Sequence, residues 1–211
     1  MALIQGMACL ERCVPTPRGH TDLVLPMIQE LMAESGVALT QLDAIAFGRG
    51  PGAFTGVRIA IGIAQGLGYA LGLPLVPVSD LAAVAQQSVD RLKEGEHVLV
   101  CMDARMAEIY SGLFERGKAG LVVPVRDEEL LLPENISLAG SNPRMGLGTG
   151  FRAYPVLREL CQGMDIDEHA LPRARDIARL AVADYVAGLG MAPDQVAPVY
   201  LRDQVVHVKA G

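Results

Sequence analysis

Leu42-Asp43-Ala44-Ile45-Ala46-Phe47-Gly48-Arg49-Gly50-Pro51-Gly52-Ala53-Phe54-Thr55-Gly56-Val57-Arg58 is the stretch on which the reading of the whole chain turns. Leu42 to Phe47 is an apolar run of strand length. Three alternating glycines and a proline then force a turn. Thr55 is a good N-cap, and no proline follows until Pro74, which predicts a helix to Leu73. Strand, glycine loop and helix in that order point to an α/β architecture.

A glycine loop ahead of a helix directs backbone N–H groups at whatever lies over the helix N-terminus, an arrangement that favours anions. Gly48, Gly50, Gly52 and Thr55 are the residues such a phosphate loop would use. The specific signatures are missing, however. Gly56 is followed by Val57 and not by Lys-Ser/Thr, and no register of these glycines gives Gly-x-Gly-x-x-Gly. The favoured alternative is a tight turn whose glycines let the helix pack close to the strand.

Within the helix, Gly56, Ala60, Ala64, Gly68 and Gly72 recur every four residues, and Gly62, Gly66 and Ala70 form a second row. A mid-helix glycine costs roughly 0.5–1 kcal/mol against alanine, so Gly62, Gly66 and Gly68 together cost roughly 2–3 kcal/mol. Close approach of another backbone is the usual compensation. Spacing alone leaves open whether that backbone is internal or belongs to another chain.

Phe47-Gly48-Arg49-Gly50-Pro51-Gly52-Ala53-Phe54-Thr55-Gly56-Val57-Arg58-Ile59 strongly resembles the hallmark of the TsaB (YeaZ) family. Asp103-Ala104-Arg105-Met106-Ala107-Glu108-Ile109-Tyr110 and Pro198-Val199-Tyr200-Leu201-Arg202 fit the same family, so three motifs in order span nearly the whole length. Asp103, Arg105 and Tyr110 are carried over as family-motif positions without an assigned role. The resemblance implies a two-lobed actin-like/sugar-kinase-like ATPase fold, each lobe a ribonuclease-H-like sheet flanked by helices. It implies a non-catalytic partner of TsaD, the subunit that adds threonylcarbamoyl to adenosine 37 of tRNAs reading ANN codons, working together with TsaE in the cytoplasm. By the same resemblance the protein forms a homodimer when alone, meets tRNA only through the complex, and binds no cofactor itself, with ATP/ADP and metal in the partner complex. Helices Leu23–Ser35 and Thr55–Leu73 would form the association surface, through Leu25, Ile28, Met32, Ile59, Gly62, Ile63 and Gly66. Family members open with an apolar strand ending in an Asp-Thr-Ser type turn. Here Met1-Ala2-Leu3-Ile4-Gln5-Gly6 corresponds to the second strand, so the first strand of the N-terminal lobe is expected to be missing and both its neighbours to carry unpaired edges.

The 211 residues fit one domain or two small lobes, and with 51% hydrophobic and 20% charged residues they support a sizeable core. A net charge of −6 argues against a chain that binds nucleic acid alone through a basic face. The chain has no Trp and only four Phe and five Tyr, so stacking platforms are scarce. Cys9, Cys13, Cys101 and Cys161 lack the paired spacing of a zinc site and read as reduced thiols of a cytosolic protein. Ile59 to Ser79 is uncharged and long enough to span a membrane. Pro74, Pro77, Gln65 and frequent glycine make it instead a buried helix followed by a buried strand, Leu75–Val78.

Along the chain, Ala2–Val14 predicts a hairpin turning near Gly6, and Pro15, Pro17 and Gly19 mark a loop. Helix Leu23–Ser35 is capped from His20-Thr21-Asp22, with Pro26 in its first turn. Ser79-Asp80 caps a helix Leu81–Leu92, and Lys93-Glu94-Gly95-Glu96 is the lobe boundary, dividing residues 1–95 from 96–211. Strands follow over His97–Met102, Glu108–Arg116 and Leu121–Arg126, with Glu128–Ile136 ambiguous. Gly146-Leu147-Gly148-Thr149-Gly150 reads as a second glycine loop before a helix from about Ala153 to Cys161, and Arg173–Leu189 as a long helix.

No catalytic constellation emerges. His20, His97, His169 and His207 are isolated. TsaD carries a His-x-x-x-His metal pair after its first hairpin, and the matching positions here are His20 and Val24. Asp103 and Arg105 read as a turn aspartate with its arginine. Ser79 and Ser111 lack His–Asp partners, so a peptidase is disfavoured. The competing functional reading is an actin-like-class nucleotide-binding protein or weak ATPase that uses the two glycine loops around phosphate.

Overall fold

The computed structural model describes residues 1–14 and 20–202; the loop expected at 15–19 and the side chains of the residues at 20 and 21 lie outside that description. The chain opens with the predicted hairpin, β1 (Ala2–Gln5) and β2 (Ala8–Glu11), turning at Gly6 with φ of 58°. Helix α1 (His20–Ser35) is tied back to it by Arg12, which pairs with Glu34 and, at 3.7 Å, with Glu30. Then β3 (Ile45–Gly48), α2 (Phe54–Leu71) and β4 (Leu75–Val78) form a β-α-β unit. Strands β3 and β4 are parallel, Ile45 opposite Leu75 and Gly48 opposite Val78. The four strands make two separate two-stranded sheets. Among the described residues β1 and β3 each have a ladder partner on one side alone.

The second half builds a six-stranded mixed sheet from β5 (His97–Arg105), β6 (Glu108–Arg116), β7 (Val122–Pro124), β8 (Glu129–Leu131), β9 (Met145–Leu147) and β10 (Asp165–Asp167). Its order is β10-β9-β5-β6-β7, with β8 also on β6. Val98, Leu99, Val100 and Cys101 are all fully buried, as befits a central strand covered on both faces. Between the two halves lies α3 (Asp80–Gln86), whose N-cap Ser79 accepts the Ala82 N–H at 3.1 Å. Buried Gln86 accepts the Val122 N–H and donates to the Gly120 carbonyl, fixing α3 to the β6–β7 turn. One apolar core runs through both halves, joining Val76, Val78, Leu81 and Val84 to Val98, Val100, Phe114 and Leu180. The boundary expected at Gly95 separates the strands of the two halves, but α6 (Ala174–Val186) crosses back over it to pack on β1, β3, β4 and α3.

Several elements differ from expectation for local reasons. Helix α2 begins at Phe54 with Ala53 as N-cap, so Thr55 lies inside the first turn and caps nothing. The helix expected over Leu81–Leu92 stops at Gln86, because the Ser88 hydroxyl takes the Ala85 carbonyl and a 3₁₀ turn, Val89–Arg91, follows. The predicted helix Ala153–Cys161 is divided into α4 (Gly150–Ala153) and α5 (Val156–Leu160) around Pro155. The ambiguous stretch Glu128–Ile136 resolves into β8 and a 3₁₀ turn, Pro133–Asn135.

Candidate functional site

The first glycine loop follows the carboxyl end of β3 and is filled by the protein's own groups. The Gly50 N–H donates to Asp80 Oδ2 at 3.0 Å, and the Asp80 N–H donates back to the Gly50 carbonyl at 3.0 Å. A Cβ on Gly48 would stand 2.1 Å from Asp80 Oδ1, and one on Gly50, at φ 94°, would meet the Val199 carbonyl at 3.0 Å. These glycines therefore serve close approach of a carboxylate and of the carboxy-terminal segment. Burial lifts the Asp80 carboxyl to about 6 against the Gly50 N–H that holds it down, and neighbouring Glu128 pushes it the same way as burial. Glu128 is also raised by burial, although the Ser79 hydroxyl donates to it and Arg49 lies 4.0 Å away. An anion brought to Gly48, Gly50 and Gly52 would face this carboxylate pair, with Arg49 beside it.

The second glycine stretch is a loop only at Gly148-Thr149, between β9 and α4. Gly146 lies inside β9, with the Phe151 ring where its Cβ would be, at 2.7 Å. Gly148 and Gly150 lie beneath the Cys101 carbonyl, at 2.5 and 2.8 Å from would-be Cβ atoms. These glycines let β5 and the Phe151 ring close over the backbone, and no cradle is left.

The interface candidates divide by face. Val57, Ile61, Ala64 and Gly68 form the buried stripe of α2 on β3 and β4. A Cβ on Gly68 would lie 2.8 Å from Leu75 and 3.0 Å from Pro193, so this glycine serves the internal core. Gly72, with φ 67°, is the C-cap and donates its N–H to the Gly68 carbonyl. Gly62 and Gly66 are different: both are exposed and nothing lies within 4 Å of their would-be Cβ atoms. Ile59 and Ile63 beside them are half-buried. On α1, Ile28 and Met32 are half-buried and Leu25 is 58% exposed. By length and composition α2 could cross a membrane; its buried stripe packs it on the sheet of a globular unit.

The three sequence motifs converge in space, which their spacing did not foretell. Residues 198–202 lie across both halves. The Val199 N–H donates to the Arg49 carbonyl at 2.9 Å. Tyr200 stacks on Phe54 with centroids 5.7 Å apart, Arg58 lies 3.7 Å over the Phe54 ring, and Arg58 Nε donates to the Tyr200 hydroxyl at 2.8 Å. Arg202 reaches the β5–β6 turn, pairing with Glu108 at 2.6 Å and donating to the Ala104 carbonyl at 3.1 Å. In that turn Arg105, Met106 and Ala107 have φ of 64°, 55° and 62°, three consecutive non-glycine residues in the left-handed region. Each costs on the order of 1–3 kcal/mol. Asp103 is spent on holding it: Oδ1 accepts the Arg105 N–H at 2.8 Å and the Tyr154 hydroxyl at 2.9 Å, and Oδ2 pairs with Arg105 at 3.1 Å. Tyr110 is half-buried against the core, opposite Met102 in the β5–β6 ladder. Among the described residues no three His, Cys, Asp or Glu side chains cluster as a metal site.

Residues 14–135 match the family model described as TsaD, tRNA N6-adenosine threonylcarbamoyltransferase. The chain is 40% identical over 201 residues to the tRNA threonylcarbamoyladenosine biosynthesis protein TsaB of Haemophilus influenzae, spanning 91% of this chain and 84% of the relative. It is 39% identical over 199 residues to the TsaB of Escherichia coli, spanning 92% and 85%. A Pseudomonas aeruginosa crystal structure, described as an uncharacterized protein with similarity to peptidase YeaZ, superimposes with a TM-score of 0.83 at 40% identity, over 95% of this chain and 93% of that one. A second structure, YeaZ from Pseudomonas aeruginosa, gives 0.82 at 38% identity over 95% and 92%. With that fold, of the actin-like α/β class, and that likeness along most of its length, the chain belongs to the TsaB (YeaZ) family of tRNA threonylcarbamoyladenosine biosynthesis proteins.

Proposed function

We propose that this protein is the non-catalytic scaffold of the complex that transfers threonylcarbamoyl to adenosine in tRNAs reading ANN codons. It would dimerise when alone and exchange that contact for TsaD in the assembled cytoplasmic complex, where TsaE, ATP/ADP and metal complete the machinery and tRNA is met. The observation that carries this reading is the outward row of Gly62 and Gly66 on α2. Two glycines in mid-helix with open space over them cost helix stability and fill no internal contact. A second helix packed on that row would recover the loss, as small residues allow backbones to approach closely. The Asp80–Glu128 pair supports the same division of labour, because two carboxylates beside the glycine loop oppose phosphate.

The test separates scaffold from enzyme. In cells lacking the native protein, Gly66→Leu is expected to abolish threonylcarbamoyladenosine in tRNA and binding to TsaD, while the protein stays folded. Asp103→Asn keeps the turn's acceptor oxygen but removes the carboxylate, and is expected to leave modification near wild type. Loss of modification with Asp103→Asn still bound to TsaD would overturn the scaffold reading.

A further inference from the structure

The surface where the three motifs meet is unlike the rest of the molecule. Phe54 and Tyr200, two of nine aromatic residues in the chain, are 47% and 43% exposed and stacked on one another. Arg58 is exposed and, among the described residues, has the two rings and the Tyr200 hydroxyl as its partners and no carboxylate. Next to it the left-handed turn raises Met106, 60% exposed, and Arg105, whose side chain is 87% exposed, with Arg202 gripping the turn from behind through Met106 Sδ at 3.2 Å. Three arginines here face two carboxylates, Asp103 and Glu108, on a chain whose net charge is −6. The strain of the turn buries neither Arg105 nor Met106, and both side chains stay on the surface.

We propose that this patch is a contact for RNA, with an unpaired tRNA base laid on the Phe54–Tyr200 pair and flanking phosphates met by Arg58 and Arg105. Aromatic and guanidinium planes are the sequence-tolerant stacking surfaces of single-stranded RNA, and arginine is the usual phosphate ligand. Arg58 is one helical turn before Gly62 on the same face of α2, so a transferase docked on the glycine row would bring its tRNA beside the patch. The inference rests on the scaffold reading. It also explains how an acidic chain that is a poor lone RNA binder contributes to recognition once a partner supplies most of the positive surface.

The complex of the full chain with TsaD, with an unmodified transcript of a tRNA reading ANN codons as the probe, tests it. Arg58→Glu and Arg105→Glu, singly and together, are expected to assemble with TsaD as wild type does. The double variant should bind the transcript at least about tenfold more weakly, with the slope of log affinity against log salt reduced by roughly one for each arginine. Among the described residues the Arg105 side chain has Asp103 as its partner, so Arg105→Glu keeps the test valid if Arg58→Glu disturbs the carboxy-terminal segment. A photoreactive phenylalanine analogue at Met106 should cross-link to the transcript. Unchanged affinity and slope in both variants would overturn the proposal, as would loss of TsaD binding, which would make the patch a protein interface. Failure of the wild-type chain to join TsaD is a separate result and removes the scaffold reading itself.

Discussion

Asp80 sets the character of the glycine loop at the scale of a single residue. Its carboxylate takes the N–H that a phosphate would otherwise use, and burial raises its pKa to about 6. An unfolded aspartate releases its proton near 3.9. Between those values the native state binds more protons than the unfolded state, so this group's contribution to stability is complete below about pH 4 and is lost as pH rises through about 6. The loss is up to about 3 kcal/mol. Asp80→Asn keeps an acceptor for the Gly50 N–H and removes the charge. It is expected to raise the melting temperature at pH 7.5 and to flatten the dependence of stability on pH between 4 and 6.5. A melting curve that keeps its pH slope in the variant would assign that slope to other groups, such as Glu128 or Asp176, which burial also raises.

Helix α2 shows, at the scale of an element, how one pattern of glycines serves three purposes. Gly68 makes room for Leu75 and Pro193, Gly72 ends the helix, and Gly62 and Gly66 face open space. Gly62→Ala and Gly66→Ala are therefore expected to stabilise the isolated monomer by about 0.5–1 kcal/mol each in urea unfolding. Gly68→Ala should destabilise it by about 1–3 kcal/mol, because its methyl would overlap Leu75. Leucine at 62 or 66 should leave the monomer folded but prevent self-association and TsaD binding, measured by sedimentation. Normal association by both leucine variants would place the interface elsewhere.

Across the whole molecule, the carboxy-terminal segment adds a polar tie between the two halves to the core they share. Val199 and Tyr200 hold the glycine loop and the start of α2, and Arg202 holds the β5–β6 turn of the second sheet. Arg202→Ala would leave Glu108 and the strained turn's Ala104 carbonyl without their donor. It is expected to cost about 2–3 kcal/mol in chemical denaturation. A smaller loss, below about 0.5 kcal/mol, would show that the turn keeps its shape unaided.

The local chemistry of the sequence was sufficient for most of the elements. Alternation and turn residues place the hairpin at Gly6, the apolar run Leu75–Val78 is β4 to the residue, and the Phe47–Ile59 motif with its two companions identifies the family and so the fold. These signals are legible because each depends on neighbours within a few residues. Four things were decided only in three dimensions, since each depends on groups far apart in the chain. Asp80 fills the first glycine loop from 30 residues away. Phe151 and the Cys101 carbonyl close over the second, so what reads as a loop is partly a buried strand. Helix α6 returns to strands at the start of the chain, across the boundary that composition marks at Lys93–Glu96. The third motif joins the first and second through Tyr200–Arg58, 142 residues apart, and Arg202–Ala104, 98 residues apart, contacts that side-chain packing creates and no local propensity encodes.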